Sequence, residues 1–120
     1  MENAKKPRYS IDEIRQKVIP VAKKYGIKRL SLFGSYARGE ADSESDVDFL
    51  IDSGHLRGMI NYFSFVFALE DKLKCHVDVV MDGSSDKEFL AKIKNDEVLI
   101  YEEEEGYEWH RTPENDWILR

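Results

Sequence analysis

The sequence predicts an α/β (α+β) domain. Three short apolar runs, Arg29–Phe33, Val47–Ile51 and His76–Met81, have the length and the valine, isoleucine and phenylalanine content of strands. Longer stretches with helical spacing or capping signals precede and separate them, and alternation of the two types is the pattern of a sheet packed by helices. The chain has 120 residues, enough for one domain with one core.

The first helix starts near Ile11, because Ser10 and Glu13 have the spacing of a capping box. Ile11, Ile14, Val18 and Val21 or Ala22 give it an apolar stripe. Pro20 removes a backbone donor and is expected to kink or split this helix, and Gly26 ends it. Gly34 breaks the first strand, Ser35–Gly39 opens a short helix, and Glu40–Ser45 is a polar loop before the second strand. Leu56–Lys74 reads as the longest helix. Its centre, Tyr62 to Leu69, is apolar on most sides, so one face serves the core and a second is available to another chain. Asp86–Lys94 is a short helix after the third strand, and Val98–Tyr101 is an edge strand. Residues 1–101 are expected to form the domain. Residues 102–120 are expected to be an acidic, extended or weakly ordered tail, in which Trp109 and Trp117 are unusual.

Net charge is −6, and residues 102–120 carry −5 of it, so the body is nearly neutral. Neither part has the basic footprint of nucleic-acid binding; Lys23, Lys24, Lys28 and Arg29 read as a solvated helix end. No run approaches the roughly 18 apolar residues of a membrane span, and the polar N-terminus lacks the apolar centre of a signal peptide. The single cysteine, Cys75, reads as a buried inert thiol in a cytoplasmic protein.

The chemistry concentrates in Gly34-Ser35-Tyr36-Ala37-Arg38-Gly39, followed by Ser45-Asp46-Val47-Asp48-Phe49. A glycine directly after a strand lets the backbone turn and approach a ligand without a Cβ. The following amides, the Ser35 hydroxyl and Arg38 one turn on can hold a phosphate. Alone, that segment reads better as a capped helix with a surface arginine; the carboxylates that follow change the reading. Asp46 and Asp48 are two apart on a strand and so share a face, about 6.5 Å apart. Oxygen-only ligands suit magnesium or manganese, and carboxylates crowded at the entrance to a core repel one another unless a cation neutralises them. Asp78 sits inside a valine-rich strand, where an unpaired carboxylate is costly. It supplies the further ligand that two-metal catalysis needs. Two bound magnesium ions would outweigh three aspartates and make the site attractive to a triphosphate, so nucleotide binding is expected to depend on divalent metal. Asp82 reads as a turn residue with Gly83. His55, His76 and His110 show no metal-ligand spacing and read as structural or surface residues.

Taken together, Gly34-Ser35 through Gly39, Asp46-Val47-Asp48 and Asp78 resemble the minimal nucleotidyltransferases of the polymerase-beta-like superfamily, over roughly residues 10–100. The subgroup it resembles is the small antitoxins encoded beside HEPN-domain ribonuclease toxins. The resemblance implies a short mixed β-sheet flanked by helices, with the site at one sheet edge. It implies that Asp46, Asp48 and Asp78 hold two Mg²⁺ ions, that Gly34 and Ser35 hold the phosphates of ATP, and that the acceptor is a tyrosine of the HEPN partner. Two other readings stand beside protein adenylylation. One is neutralisation of the partner mainly by docking; the other is transfer to a small molecule, which in known enzymes uses a further domain to hold the acceptor. The acidic tail matches no part of the motif.

Overall fold

A computed structural model describes residues 9–42, 44–83, 86–103, 109–111, 114 and 117–119. Helix α1 spans Ile11–Lys24, β1 Arg29–Phe33, α2 Gly34–Arg38, β2 Val47–Asp52, α3 Met59–Leu73, β3 Val77–Met81, α4 Lys87–Asp96 and β4 Val98–Glu102. The four strands form one mixed sheet in the order β3-β2-β1-β4. β1 runs antiparallel to both β2 and β4, while β2 and β3 are parallel, with α3 as the crossover between them.

Each boundary has a local cause. The Ser10 hydroxyl accepts from the Glu13 amide at 3.1 Å, and the Glu13 carboxylate accepts from the Ser10 amide at 2.9 Å. At the other end, Gly26 takes φ +69°, its amide donates to Lys23 O and the Ile27 amide donates to Ala22 O, closing α1 as a Schellman motif. The expected break at Pro20 does not occur: α1 is one 14-residue helix with the proline inside it. Pro20 and Gln16, whose carbonyl loses its amide partner, both lie on the exposed face, where water can satisfy that carbonyl. Helix α4 starts at Asp86, whose carboxylate accepts from the Phe89 amide at 3.0 Å.

The two faces of the sheet are used differently. One face carries Leu30 and Leu32 of β1, Val47, Phe49 and Ile51 of β2 and Val77 of β3. These pack against Ile14, Val18 and Val21 of α1 and Phe65, Leu69 and Leu73 of α3, all buried. The opposite face carries a smaller cluster, in which Leu50, Phe33 and Val80 meet Leu90 and Ile93 of α4. Helix α4 thus covers the row of β2 and β3 that contains Leu50 and Val80. The next row on that face is Phe33, Asp48 and Asp78, in register across β1, β2 and β3.

Helix α3 places Phe65, Leu69 and Leu73 at four-residue intervals into the core. Met59, Ile60, Phe63 and Phe67 stay exposed, with the Phe63 and Phe67 rings stacked at 6.4 Å. The Tyr62 hydroxyl donates to Val79 O of β3 at 3.4 Å.

Beyond β4 the chain forms two further strands, β5 Trp109–Arg111 and β6 Trp117–Leu119, paired antiparallel with Trp109 opposite Leu119 and Arg111 opposite Trp117. A paired hairpin stands where the sequence suggests an extended or weakly ordered tail. The main sheet also runs past Tyr101: β4 ends at Glu102, and the Glu103 amide donates to Lys28 O at 2.8 Å. Among the described residues no helix is long and apolar enough to cross a membrane.

The contrast along α3 is testable by urea denaturation. Phe65→Ala removes a fully buried ring and should cost about 3–5 kcal/mol. Phe67→Ala, at a position 63% exposed, should stay within about 0.5 kcal/mol of the parent. Equal losses would mean that α3 buries both faces in the isolated chain.

Candidate active site

The parallel register of β2 and β3 builds the site. Asp48 lies opposite Asp78, and one step toward the strand starts the Val47 amide donates to His76 O at 3.2 Å. Asp46 and His76, each two residues before its aspartate, therefore fall side by side as well. Both strands enter the sheet here, and β1 leaves it here through Gly34. Asp48 and Asp78, singled out from the sequence on chemistry alone, share the row beyond Leu50 and Val80, and Asp46 comes beside them from the residue before β2.

Gly34 explains how Asp48 is seated. It takes φ +76°, a left-handed conformation that side chains disfavour, and a Cβ placed on it would collide with the Asp48 carboxylate Oδ2. The turn out of β1 thus runs directly over Asp48, where only a residue without a side chain passes. Ser35 follows at the start of α2. Among the described residues no hydrogen bond engages its hydroxyl, while its carbonyl accepts from the Gly39 and Glu40 amides. Gly39, at φ 75°, closes the short helix.

Crowding shows in the titration of Asp48, which is pushed up to about 6 from 3.8. Burial is the largest cause, followed by the neighbouring Asp78 carboxylate and the hydrogen bond shared with it; Asp46 adds in the same direction and Arg38 opposes. A half-buried carboxyl held against two others is a place for a cation. The donor set fits a hard divalent ion, because each carboxylate offers oxygen. Asp46, Asp48 and Asp78 are the residues that would hold it.

Arg38 is paired with acids through two of its three guanidinium nitrogens. Its guanidinium pairs with Glu40 at 2.8 Å and with Asp96 of α4 at 3.1 Å, so it ties α2 to α4 while lying close enough to influence Asp48. Beside Gly34, a cleft of about 180 Å³ opens between α2 and α4. Phe33, Phe89 and Ile93 form apolar walls, and Arg38, Lys92 and Asp96 rim it. Asp82 behaves as a turn residue: its carboxylate accepts from the Gly83 amide at 2.9 Å and pairs with Lys94 at 3.8 Å.

His76 is the residue that spacing did not single out. Its Nδ1 stands 3.4 Å from Asp46 Oδ2 and 3.7 Å from Asp78 Oδ1. The signal was its position two before Asp78, which matters only once β3 is known to lie parallel to β2 in this register.

A four-stranded mixed sheet with paired carboxylates beside a Gly-Ser turn defines a nucleotidyl-transfer centre. Residues 16–106 match the family described as polymerase beta, nucleotidyltransferase. The chain belongs to this family and is an enzyme of the nucleotidyltransferase class. Among its relatives, protein adenylyltransferase MntA of Thermococcus cleftensis is 38% identical over 76 residues, 63% of this chain and 76% of that protein. A Methanocaldococcus jannaschii protein, provisionally named a protein adenylyltransferase, is 37% identical over 91 residues, 76% of this chain and 98% of its own. The fold is shared with a chain in the structure of a tri-AMPylated Shewanella oneidensis HEPN toxin in complex with an MNT antitoxin. The TM-score is 0.60 at 17% identity, covering 78% of this chain and 73% of that one.

Two variants test the crowding. A carboxyl whose pKa is higher in the folded than in the unfolded chain favours folding while protonated and opposes it once ionised. Metal-free stability should therefore fall as pH rises from about 4 to about 6 and carry the full penalty above that. Asp48→Asn should melt higher than the parent at pH 7.5 in EDTA, with the gap closing toward pH 4, as followed by circular dichroism. Equal melting at both pH values would show that the carboxylates do not strain the fold. Gly34→Ala, which must displace Asp48 and take a strained φ, should lower stability by more than about 1 kcal/mol and weaken divalent-metal binding.

Proposed function

We propose that this chain is a Mg²⁺-dependent protein adenylyltransferase that moves AMP from ATP to a tyrosine hydroxyl of a HEPN ribonuclease toxin and so acts as its antitoxin. The observation that carries the reading is the register that sets Asp48 opposite Asp78, with Asp46 two residues earlier, under the side-chain-free turn at Gly34. The relatives named as protein adenylyltransferases support the reaction, and the fold shared with a chain of the HEPN–MNT complex supports the partner.

Divalent ions, when bound, neutralise triphosphate charge and make the acceptor oxygen more acidic. Asp46, Asp48 and Asp78 would hold them. Gly34 lets the phosphates approach the backbone, and the unengaged Ser35 hydroxyl donates to a phosphate oxygen. The apolar cleft beside Gly34, with Lys92 at its rim, offers the nucleoside a wall and the phosphates a cation. Asp78, whose side chain is 54% exposed, faces the side from which an acceptor arrives and takes its proton. The acceptor oxygen bonds to the α-phosphorus in line, the bond from that phosphorus to the bridging oxygen breaks, and pyrophosphate leaves. Arg38, whose Nε and Nη1 pair with Glu40 and Asp96, offsets negative charge around Asp48.

The exposed face of α3, with Met59, Ile60, Phe63 and Phe67, favours a second reading: the chain neutralises its partner by docking, with transfer secondary. One experiment separates the two. The chain is incubated with a HEPN-domain protein encoded beside it, ATP and Mg²⁺, and both proteins are weighed intact. Addition of one or more AMP units to the partner, abolished in Asp46→Ala/Asp48→Ala, is the expected result. A tight complex with no mass gain would replace transfer by docking.

A further inference from the structure

His76 meets two carboxylates at once. Its Nδ1 faces carboxylates of both Asp46 and Asp78, and one ligand atom from each of the three residues lies within 4.8 Å of the other two. Donors each about 2.1 Å from a shared ion stand roughly 3.0 Å apart at octahedral angles and 3.4 Å apart at tetrahedral ones. The observed separations from Nδ1, 3.4 and 3.7 Å, need only a few tenths of an ångström of closure to meet that condition. All three side chains are about half exposed, so an ion reaches them from solvent and completes its shell with water.

We propose that Asp46, His76 and Asp78 form a mixed nitrogen–oxygen site that takes a first-row transition ion, Mn²⁺, Co²⁺ or Zn²⁺, in preference to Mg²⁺. Magnesium holds an oxygen shell and gains little from imidazole, whereas the transition ions accept it readily. His76 ligates through Nδ1 and keeps its proton on Nε2, which the exposure of the residue leaves to water. The consequence for the enzyme is that Mg²⁺ occupies Asp46 and Asp78 only where it outnumbers the transition ions, a competition set by a residue outside the three aspartates. The inference rests on the reading above in taking Asp46 and Asp78 as metal ligands, but its test uses neither ATP nor an acceptor. A failed transfer assay therefore leaves it standing, and its own failure leaves transfer standing.

The full chain is titrated with Co²⁺, followed by visible absorption, and with Mg²⁺ and Mn²⁺ in competition. His76→Ala should weaken Co²⁺ and Mn²⁺ binding at least about tenfold and change Mg²⁺ binding by less than about threefold. Cys75→Ser, which removes the adjacent thiol as an alternative ligand, should leave all three unchanged. On the wild-type chain, long-range ¹H–¹⁵N spectra should show the His76 Nδ1 resonance displaced by Zn²⁺. Equal Co²⁺ affinity in His76→Ala, loss of Co²⁺ binding in Cys75→Ser, or a His76 Nδ1 signal indifferent to Zn²⁺ would each overturn the site and leave His76 as a counter-charge.

Discussion

The structure depends on holding like charges together. The parallel pairing of β2 and β3 sets Asp48 opposite Asp78, and the Asp48 carboxyl is pushed up to about 6, first by burial and then by the neighbouring Asp78 carboxylate. Parallel pairing is what makes the approach unavoidable. In that register Asp48 has no choice of neighbour, and Asp46 and His76 follow it automatically. Antiparallel neighbours would instead have run the two aspartates' strands in opposite directions and scattered the group. The βαβ crossover through α3 is therefore as much part of the site as the carboxylates are, and Phe65, Leu69 and Leu73 hold that crossover against the sheet.

A sheet that carries a charged group needs its driving force elsewhere, and the two faces divide that labour. The face under α1 and α3 is apolar along its whole width, from Ile100 on β4 to Val77 on β3. The face under α4 is apolar only around Leu50, Val80 and Phe33. Leu90 and Ile93 end where Asp48 and Asp78 begin, and Arg38 closes the gap between α4 and α2 with its pairs to Asp96 and Glu40. This placement explains why an arginine near a triphosphate motif is occupied by acids. It fastens the helix that carries Ser35 to the helix that stops short of the site. An exposed pair of this kind contributes little to stability, so its value lies in position.

Much of this was legible in the sequence because the informative signals were local. The capping box at Ser10, the glycine after β1 and the alternation Asp46-Val47-Asp48 each report on residues a few positions away, and the structure places each as its spacing implies. What was not legible depended on partners distant in the chain. His76 shows no ligand spacing along the sequence, since its companions Asp46 and Asp78 lie on two strands whose relative direction the sequence does not state. The fate of Pro20 turned on which face of α1 it occupies, a matter of packing. The hairpin of β5 and β6 joins segments rich in charge and aromatic residues, and neither alternates apolar and polar residues for long enough to announce a strand.

The exposure of the site has a further consequence. With Asp46, His76 and Asp78 about half open to water, charges there are screened, and an ion or a triphosphate gains much less than it would in a dry cavity. Among the described residues, α4 reaches the row of Leu50 and Val80, and the turn at Gly34 runs over Asp48. Whatever brings the acceptor hydroxyl also displaces water from the open carboxylates and strengthens each electrostatic contact beneath it. On the proposed reading, docking and chemistry then support one another. A macromolecular acceptor large enough to cap the exposed row raises catalytic power simply by being seated, whereas a small acceptor leaves the row wet. The openness of the site is thus itself an argument about substrate size.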